Sequence, residues 1–173
     1  MAIVYLSLGS NKKNRKKYLQ EALIKLSKLG ILTAISNIYE TEPWGFYSPN
    51  NFYNLIVKMQ TNLPPFKLLS EIKYIEQLLG RDISYSEVYR SREIDIDIIF
   101  YDNLILNSEK LIIPHKYAHK RKFVLLPMAE INPLKIHPVL NKTISDLIKE
   151  CPDKSFVKII GKLPLPEKLI SHT

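Results

Sequence analysis

Residues 92–100, with the sequence REIDIDIIF, place an acidic residue at every second position of an otherwise apolar run. Side chains at positions i, i+2 and i+4 of a strand point to the same face of a sheet. The pattern therefore predicts a strand with an acidic face (Glu93, Asp95, Asp97) and an apolar face (Ile94, Ile96, Ile98, Phe100). Aligned carboxylates repel one another, so the strand is expected either at a solvent-facing sheet edge or at a site that binds cations.

Strand-like and helix-like patterns alternate ahead of this strand. Strands are predicted at residues 2–8, 31–39 and 52–60, and helices at about 14–29 and in 63–80. The resulting order, β-α-β-β-α-β, is typical of a ferredoxin-like α+β sheet. Two further short helices are predicted at residues 123–133 and 143–151. Residues 161–173 contain two prolines and little periodicity, and we expect a poorly ordered C-terminal tail there.

Chain length and composition indicate one globular domain, which we assign to residues 1–160. The 173 residues suffice to bury a core, and 46% hydrophobic with 24% charged residues is typical of soluble proteins. No apolar run approaches the roughly 20 residues that span a bilayer, so no membrane association is expected. The single cysteine, Cys151, excludes an internal disulfide and suits the cytoplasm.

The net charge of +8 favours a polyanionic partner, either nucleic acid or a phosphate-rich small molecule. One basic cluster, residues 12–17, opens a predicted helix and is interpreted as a solvated face. A second, HKYAHKRK at residues 115–122, mixes histidine, lysine, arginine and tyrosine ahead of an apolar segment. This second cluster is the better candidate for phosphate contacts.

The pair Asp95 and Asp97 is a candidate magnesium site. Their carboxylates are expected about 6–7 Å apart along one strand face, where each can bind one ion and both can share a second. Magnesium takes one or two protein carboxylates and completes its shell with water and substrate phosphates. The nearby Arg92 and the basic cluster at residues 115–122 make a site for phosphoryl-type transfer more plausible than an acidic edge strand alone.

The segment ETEPWGFYSPNNFYN, residues 40–54, is a candidate site for a flat heterocycle. Phe52 and Asn54 share a strand face, so one side chain is able to stack on a ring while the other reads its edge. The alternative is that Trp44, Phe46 and Tyr47 only pin the loop to the protein surface.

The chain resembles the 6-hydroxymethyl-7,8-dihydropterin pyrophosphokinase family over about residues 4–148. The similar segments are YLSLGSN, YETEPWG with the following FYN, IEQLLGR, SREIDIDIIFYDN and LIIPHKYAHKRKFVLLPMAEINP. The resemblance implies a three-layer α/β/α architecture and transfer of pyrophosphate from ATP to the hydroxymethyl group of the reduced pterin, with release of AMP. It implies an ATP- and magnesium-dependent enzyme of folate biosynthesis. We expect a monomer with small-molecule substrates and no nucleic-acid partner, and association with other folate-pathway enzymes is left open.

The resemblance also implies roles for individual residues. Asp95 and Asp97 would hold two Mg²⁺ ions. The triphosphate would contact Arg81, Arg92, His115 and Arg121, of which Arg81 and Arg92 are the catalytic candidates. Adenine would be surrounded by Ile98, Lys110, Leu111 and Ile112. The pterin would contact Thr41, Pro43, Trp44, Phe52, Asn54, Tyr89 and Phe123. Phe52 replaces a tyrosine common in the family, and residues 89–91 replace a Trp-Gly-Pro-type run, so the contacts made by that loop are expected to differ.

Two other functions are compatible with part of the sequence pattern. A basic ferredoxin-like sheet with aromatic residues also suits RNA binding, but two carboxylates on that face disfavour a polyanion unless metal intervenes. A metal-dependent nuclease or phosphatase would use the same Asp-x-Asp pair, but it would not need the ring-binding residues. The sequence therefore favours the pterin enzyme.

Overall fold

The computed structural model describes residues 1–12, 14–43, 50–80, 93–166 and 168–170. Six strands form one antiparallel sheet: β1 (Ala2–Ser10), β2 (Ile31–Ile35), β3 (Ile38–Thr41), β4 (Phe52–Thr61), β5 (Asp95–Tyr101) and, near the end of the chain, β8 (Val157–Gly161). Their order is β5-β1-β4-β3-β8, and β2 also pairs with β4. A separate two-stranded hairpin joins β6 (Leu106–Asn107) to β7 (Ile112–Ile113).

The segment predicted as one strand at residues 31–39 is two strands, separated at Ser36. The Ser36 backbone N–H donates to the Ile56 carbonyl at 2.9 Å. The Ser36 hydroxyl oxygen accepts the Ile56 N–H at 2.9 Å and its hydroxyl donates to the Asn37 carbonyl. Because a buried side chain replaces part of the strand ladder here, β2 and β3 pair with opposite halves of β4.

Helices lie on both faces of the sheet. On one face, α1 (Arg15–Leu26) and α2 (Pro65–Leu78) bury leucines and isoleucines against β1, β4 and β5. On the other, α3 (Lys122–Ile131) and α4 (Ile144–Glu150) enclose a second apolar cluster. Pro65 suits the first position of α2, where a missing N–H costs nothing. Gly80, with a φ of +101°, ends that helical segment in a conformation that favours glycine. Across the described ranges, no helix is both long and apolar enough to cross a bilayer.

A β-bulge interrupts β5 just beyond the acidic pair. Leu6 pairs with Ile98 and Tyr5 pairs with Phe100, so Ile99 is an extra residue on β5. Strict alternation placed Phe100 on the face of Ile94, and that prediction is wrong because the bulge turns Phe100 to the other face. There Phe100 is 2% exposed and packs edge-on against Tyr5, with ring centroids 6.2 Å apart.

The end of the chain is packed, so the prediction of a poorly ordered tail is wrong for residues 161–166 and 168–170. Leu163 is 6% exposed and belongs to the core beside α1. Gln20 Nε2 of α1 donates to the Pro164 carbonyl at 2.6 Å. Ile170 forms a parallel bridge with Leu32 of β2. Proline and low periodicity concealed these contacts, because they depend on surfaces supplied by earlier elements.

Candidate active site

A cavity of about 590 Å³ opens on the face of the sheet that carries the acidic pair. Gly9 of β1 pairs with Asp95 of β5 on one side and with Asn54 of β4 on the other. Two residues along β1 from Gly9, Ser7 pairs with Asp97. The sheet thus brings the acidic strand and the predicted ring-binding strand side by side, although they are about 40 residues apart in sequence.

Gly9 keeps the floor of the cavity open between these strands. A Cβ at this position would lie 3.0 Å from Asn54 Oδ1 and 3.7 Å from Phe52 Cδ1. A Cβ at this position would therefore crowd the Asn54 amide and make ordinary contact with the Phe52 ring. The absence of a side chain at Gly9 lets a ligand lie against the sheet backbone between Asp95 and Asn54.

Asn54 is oriented by two hydrogen bonds. Its Nδ2 donates to the Tyr39 carbonyl at 3.2 Å and to Thr41 Oγ1 at 2.8 Å, and the residue is only 4% exposed. Both amide hydrogens are engaged by β3, and Oδ1 lies beside the open position at Gly9. Asn54 therefore offers the cavity a fixed hydrogen-bond acceptor.

The acidic pair is supported from α2 by a buried carboxylate. Glu76 is 4% exposed, and its Oε2 accepts the backbone N–H of Ile96 at 3.0 Å. Ile96 lies between Asp95 and Asp97, so this bond steadies the strand backbone that carries both of them. The two acids themselves are half-buried and line the cavity.

His115 connects the basic cluster to the acidic strand. Its backbone N–H donates to the carbonyl of the bulge residue Ile99 at 3.0 Å. Its Nδ1 accepts the Tyr117 N–H at 3.2 Å, and its Nε2 lies 4.0 Å from Asp97 Oδ2. Burial and the nearby Arg121 charge lower the pKa of His115 to about 4, against the opposing effect of Asp95. His115 is therefore neutral near pH 7 and carries its proton on Nε2, which faces Asp97.

Arg121 and Phe123 flank the first residue of α3, Lys122. The Arg121 guanidinium carbon lies 5.2 Å from the Tyr117 ring centroid and 5.7 Å from that of Phe123, within cation–π range. This corner thus presents a cation and a flat apolar ring to the same cavity. The cation suits a phosphate and the ring suits a heterocycle.

The carboxylates of Asp95 and Asp97 suit part of the coordination shell of a magnesium ion. In the part of the chain that the structure describes, no group of three or more His, Cys, Asp or Glu side chains is placed to enclose a metal ion. A carboxylate pair on the wall of a roomy cavity leaves space for water and phosphate oxygens, which is the donor set that magnesium prefers.

The structure brings eight of the predicted site residues to one cavity. These are Thr41, Pro43, Phe52, Asn54, Asp95, Asp97, Arg121 and Phe123. The positions predicted to surround adenine are elsewhere: Ile98 and Leu111 are buried in the core with α1 and α2, whereas Lys110 and Ile112 are exposed. Trp44, Arg81, Tyr89 and Arg92 lie outside the described residues.

Other residues of the cavity wall were not predicted individually: Ser7, Gly9, Glu42, Tyr117, Lys120, Pro152, Asp153 and Ser155. Alternation on β1 would have placed Ser7 and Gly9 on one face. Tyr117 and Lys120 belong to the basic cluster that was singled out as a whole. No sequence signal marks residues 152–155, because β8 brings this segment to the cavity by pairing with β3.

A mixed α/β fold in which one cavity carries paired carboxylates, an arginine and aromatic rings suits an enzyme of phosphoryl transfer. Residues 5–133 match the model of one family, described as 7,8-dihydro-6-hydroxymethylpterin-pyrophosphokinase (HPPK). The chain belongs to this HPPK family.

Curated relatives agree with the family assignment. The 2-amino-4-hydroxy-6-hydroxymethyldihydropteridine pyrophosphokinase of Aquifex aeolicus is 38% identical over 160 residues, covering 92% of this chain and 99% of the relative. Its namesake in Porphyromonas gingivalis is 43% identical over 141 residues, covering 80% and 95%. The folic acid synthesis protein fol1 of Pneumocystis carinii is 40% identical and covers 91% of this chain, which spans only 21% of that longer protein.

Solved structures share the fold. A wild-type Plasmodium falciparum HPPK-DHPS structure with pterin and p-hydroxybenzoate superimposes with a TM-score of 0.70 at 23% identity, over 86% of this chain and 41% of the other. At this identity the likeness supports the fold and no particular residue role.

Proposed function

We propose that this chain transfers the pyrophosphoryl group of ATP to the hydroxymethyl group of 6-hydroxymethyl-7,8-dihydropterin and releases AMP, as a step of folate biosynthesis. Family membership supports the activity. The observation that carries it to these residues is that one cavity joins the acidic pair, Asp95 and Asp97, to the ring-binding side chains Asn54 and Phe123. A volume of about 590 Å³ is within the usual range for small-molecule sites.

The pterin would lie over Gly9, between Phe52 and Phe123. Asn54 Oδ1 would accept a hydrogen bond from a ring N–H or amino group, because both hydrogens of Nδ2 are already donated to β3. Thr41 and Pro43 line the same cavity. Trp44 and Tyr89 stay predicted pterin contacts that lie outside the described residues.

The triphosphate would lie between the acidic pair and the basic cluster. Arg121 supplies a permanent cation, and neutral His115 supplies an Nε2–H donor, so together they orient phosphate oxygens. Arg81 and Arg92 stay the proposed catalytic cations, and Ile98, Lys110, Leu111 and Ile112 stay the positions proposed near adenine. Electrostatic positioning of this kind is the usual contribution of a protein to phosphoryl transfer.

In the proposed reaction, the pterin hydroxymethyl oxygen forms a bond to the β-phosphorus of ATP. The bond from that phosphorus to the oxygen bridging it to the α-phosphorus breaks, AMP departs with the electron pair, and the hydroxyl proton passes to solvent. Two Mg²⁺ ions held by Asp95 and Asp97 would supply charge neutralisation and would lower the pKa of the hydroxyl group. The protein residues need only hold the reacting oxygen and phosphorus close and in line.

Three further proposals concern the fold type, the location and oligomeric state of the protein, and its association with other enzymes. The strand order β5-β1-β4 followed by β2 and β3, with helices on both faces, supports a ferredoxin-like core in an α/β/α arrangement. We propose a cytoplasmic monomer. Association with other folate-pathway enzymes is supported by relatives such as the bifunctional protein FolKE of Lactococcus lactis.

The decisive assay separates the nucleotide products. Purified protein is incubated with ATP, magnesium and 6-hydroxymethyl-7,8-dihydropterin, and adenine nucleotides are resolved by chromatography. The proposal requires AMP and a pterin diphosphate in equal amounts, formed only when the pterin is present. ADP as the main product, or AMP formation that ignores the pterin, would refute it.

A further inference from the structure

Residues 152–155 form a wall of the cavity although they lie beyond the family-matched residues 5–133. The segment follows α4 and precedes β8, whose Val157 pairs with Thr41 of β3. Pro152, Asp153 and Ser155 thereby line the same cavity as Thr41, Pro43 and Phe123.

Asp153 links this wall to the first turn of α3. Its Oδ2 accepts the backbone N–H of Lys122 at 3.0 Å. Its Oδ1 accepts the Ser155 N–H at 2.9 Å and the Ser155 hydroxyl at 2.6 Å. Both carboxylate oxygens are therefore used to hold residues 153–155 against the start of the helix.

The start of α3 has no side-chain cap from its own sequence. Arg121 occupies the N-cap position and accepts no side-chain hydrogen bond there, and arginine has no acceptor to offer. Asp153, 31 residues away, supplies the missing acceptor, and a carboxylate also interacts favourably with a helix N-terminus. Near its other end, α3 is held by Glu130, which accepts the Tyr39 hydroxyl at 2.8 Å.

The carboxylate form of Asp153 is favoured by these contacts. Burial raises the pKa of Asp153, but hydrogen bonds from Ser155 and Lys122 outweigh burial and leave the pKa below its usual value. An ionised Asp153 is an acceptor only, as its three donors require.

We propose that Asp153 is a positioning residue for the reaction, because it fixes the first turn of α3 and with it the orientation of Arg121 and Phe123. Asp153 binds the backbone N–H of Lys122, which lies between Arg121 and Phe123 in the sequence. This inference rests on the proposed function, in which Arg121 contacts phosphate and Phe123 stacks on the pterin. Loosening the turn would misplace both groups together, and small misplacements of binding groups lower activity strongly.

A matched control exists in α4, which contributes no residue to the described cavity wall. Asp146 completes a capping box there, with its Oδ2 accepting the Thr143 N–H at 3.4 Å and its N–H donating to Thr143 Oγ1 at 3.1 Å. Asp146→Ala therefore removes a helix-terminal carboxylate of the same type at a position that does not line the described cavity.

The test compares Asp153→Ala, Asp153→Asn and Asp146→Ala with the wild-type chain. Both alanine variants are expected to lower the Tm by similar amounts. Asp153→Ala is expected to raise the KM for the pterin and for ATP by about tenfold each, whereas Asp146→Ala leaves both within about twofold. Asp153→Asn retains one acceptor for the Lys122 N–H and is expected to recover most of the loss.

Each outcome decides the inference. It is overturned if Asp153→Ala keeps wild-type KM values, or if Asp146→Ala raises them as much. Should Asp153→Ala fail to fold, Asp153→Ser takes its place, because its hydroxyl is one bond too short to replace the carboxylate oxygen that binds the Lys122 N–H. Wild-type KM values in that variant overturn the inference, whereas raised values support it. Absence of AMP formation by the wild-type chain would instead refute the proposed function, and this inference with it.

Discussion

Stability between pH 7 and pH 5 is expected to depend on His137. This side chain is 5% exposed, and its Nδ1 accepts the N–H groups of Val139 and Leu140 at 3.3 and 3.2 Å. Its ring packs edge-on against Phe100, with centroids 5.7 Å apart. Protonation would turn Nδ1 from an acceptor into an N–H donor, and that N–H would face the two backbone N–H groups of Val139 and Leu140. Burial, and the neighbouring His119 and Lys135, accordingly lower the pKa of His137 to about 4.

The size of the effect follows from proton linkage. In the unfolded chain His137 has its ordinary pKa of 6.5. Between that pH and about pH 4, the unfolded state therefore binds a proton at His137 that the folded state does not bind. The free energy of unfolding therefore falls as pH decreases from 6.5 towards 4. The loss amounts to about 2 kcal/mol between pH 7 and pH 5, and roughly 3 kcal/mol in full. For a chain of this length 2 kcal/mol corresponds to about 4–8 °C in Tm.

The assay is urea unfolding at several pH values from 7 to 5, with His137→Asn compared with the wild type. Asparagine does not titrate, so the variant is expected to lose about 2 kcal/mol less than the wild type over this range, whatever its stability at pH 7. His119→Gln is expected to reduce the pH dependence only partly, because His119 is one cause of the shift. Parallel stability–pH curves for His137→Asn and the wild type would refute the assignment.

Three further substitutions test the site and the core. Asp97→Ala should reduce AMP formation below about 1% of wild type with unchanged circular dichroism, because one carboxylate cannot replace the pair; substantial turnover would contradict the metal assignment. Asn54→Ala should raise the pterin KM about tenfold and leave the ATP KM nearly unchanged, since one ligand hydrogen bond is lost; equal rises would indicate a structural role. Gly30→Ala should lower the free energy of unfolding by about 3 kcal/mol in urea titrations, because its Cβ would lie 2.2 Å from the Gln60 carbonyl oxygen; wild-type stability would contradict that close approach.

The sequence predicted the elements well where local pattern dominates. Both α1 and α2 form where apolar residues recur at helical spacing, and Asp95 and Asp97 share a strand face as alternation requires. Phe100 was misplaced because the bulge at Ile99 depends on the register with β1 and on the His115 N–H that binds its carbonyl. These are tertiary contacts that no local pattern encodes.

The candidate site was predictable only where its residues belong to local sequence motifs. Asn54 and Phe123 belong to motifs that a family resemblance identifies. Asp153 has no such motif, and only the pairing of β8 with β3 brings it to the cavity. Alternation along β5 placed Ile98 on the apolar face, and Ile98 packs in the core as that pattern predicted. Its proposed position near adenine comes from the family resemblance alone.

The buried carboxylate of Glu76 also bears on how the protein avoids aggregation. In the sheet described above, β5 is an edge strand, and edge strands with open N–H groups recruit strands from other molecules. Glu76 Oε2 accepts the N–H of Ile96, the second residue of that edge strand, and thereby occupies the position that the carbonyl of an incoming strand would need. The side chain that steadies the acidic pair thus also discourages this edge from adding a second copy of the chain.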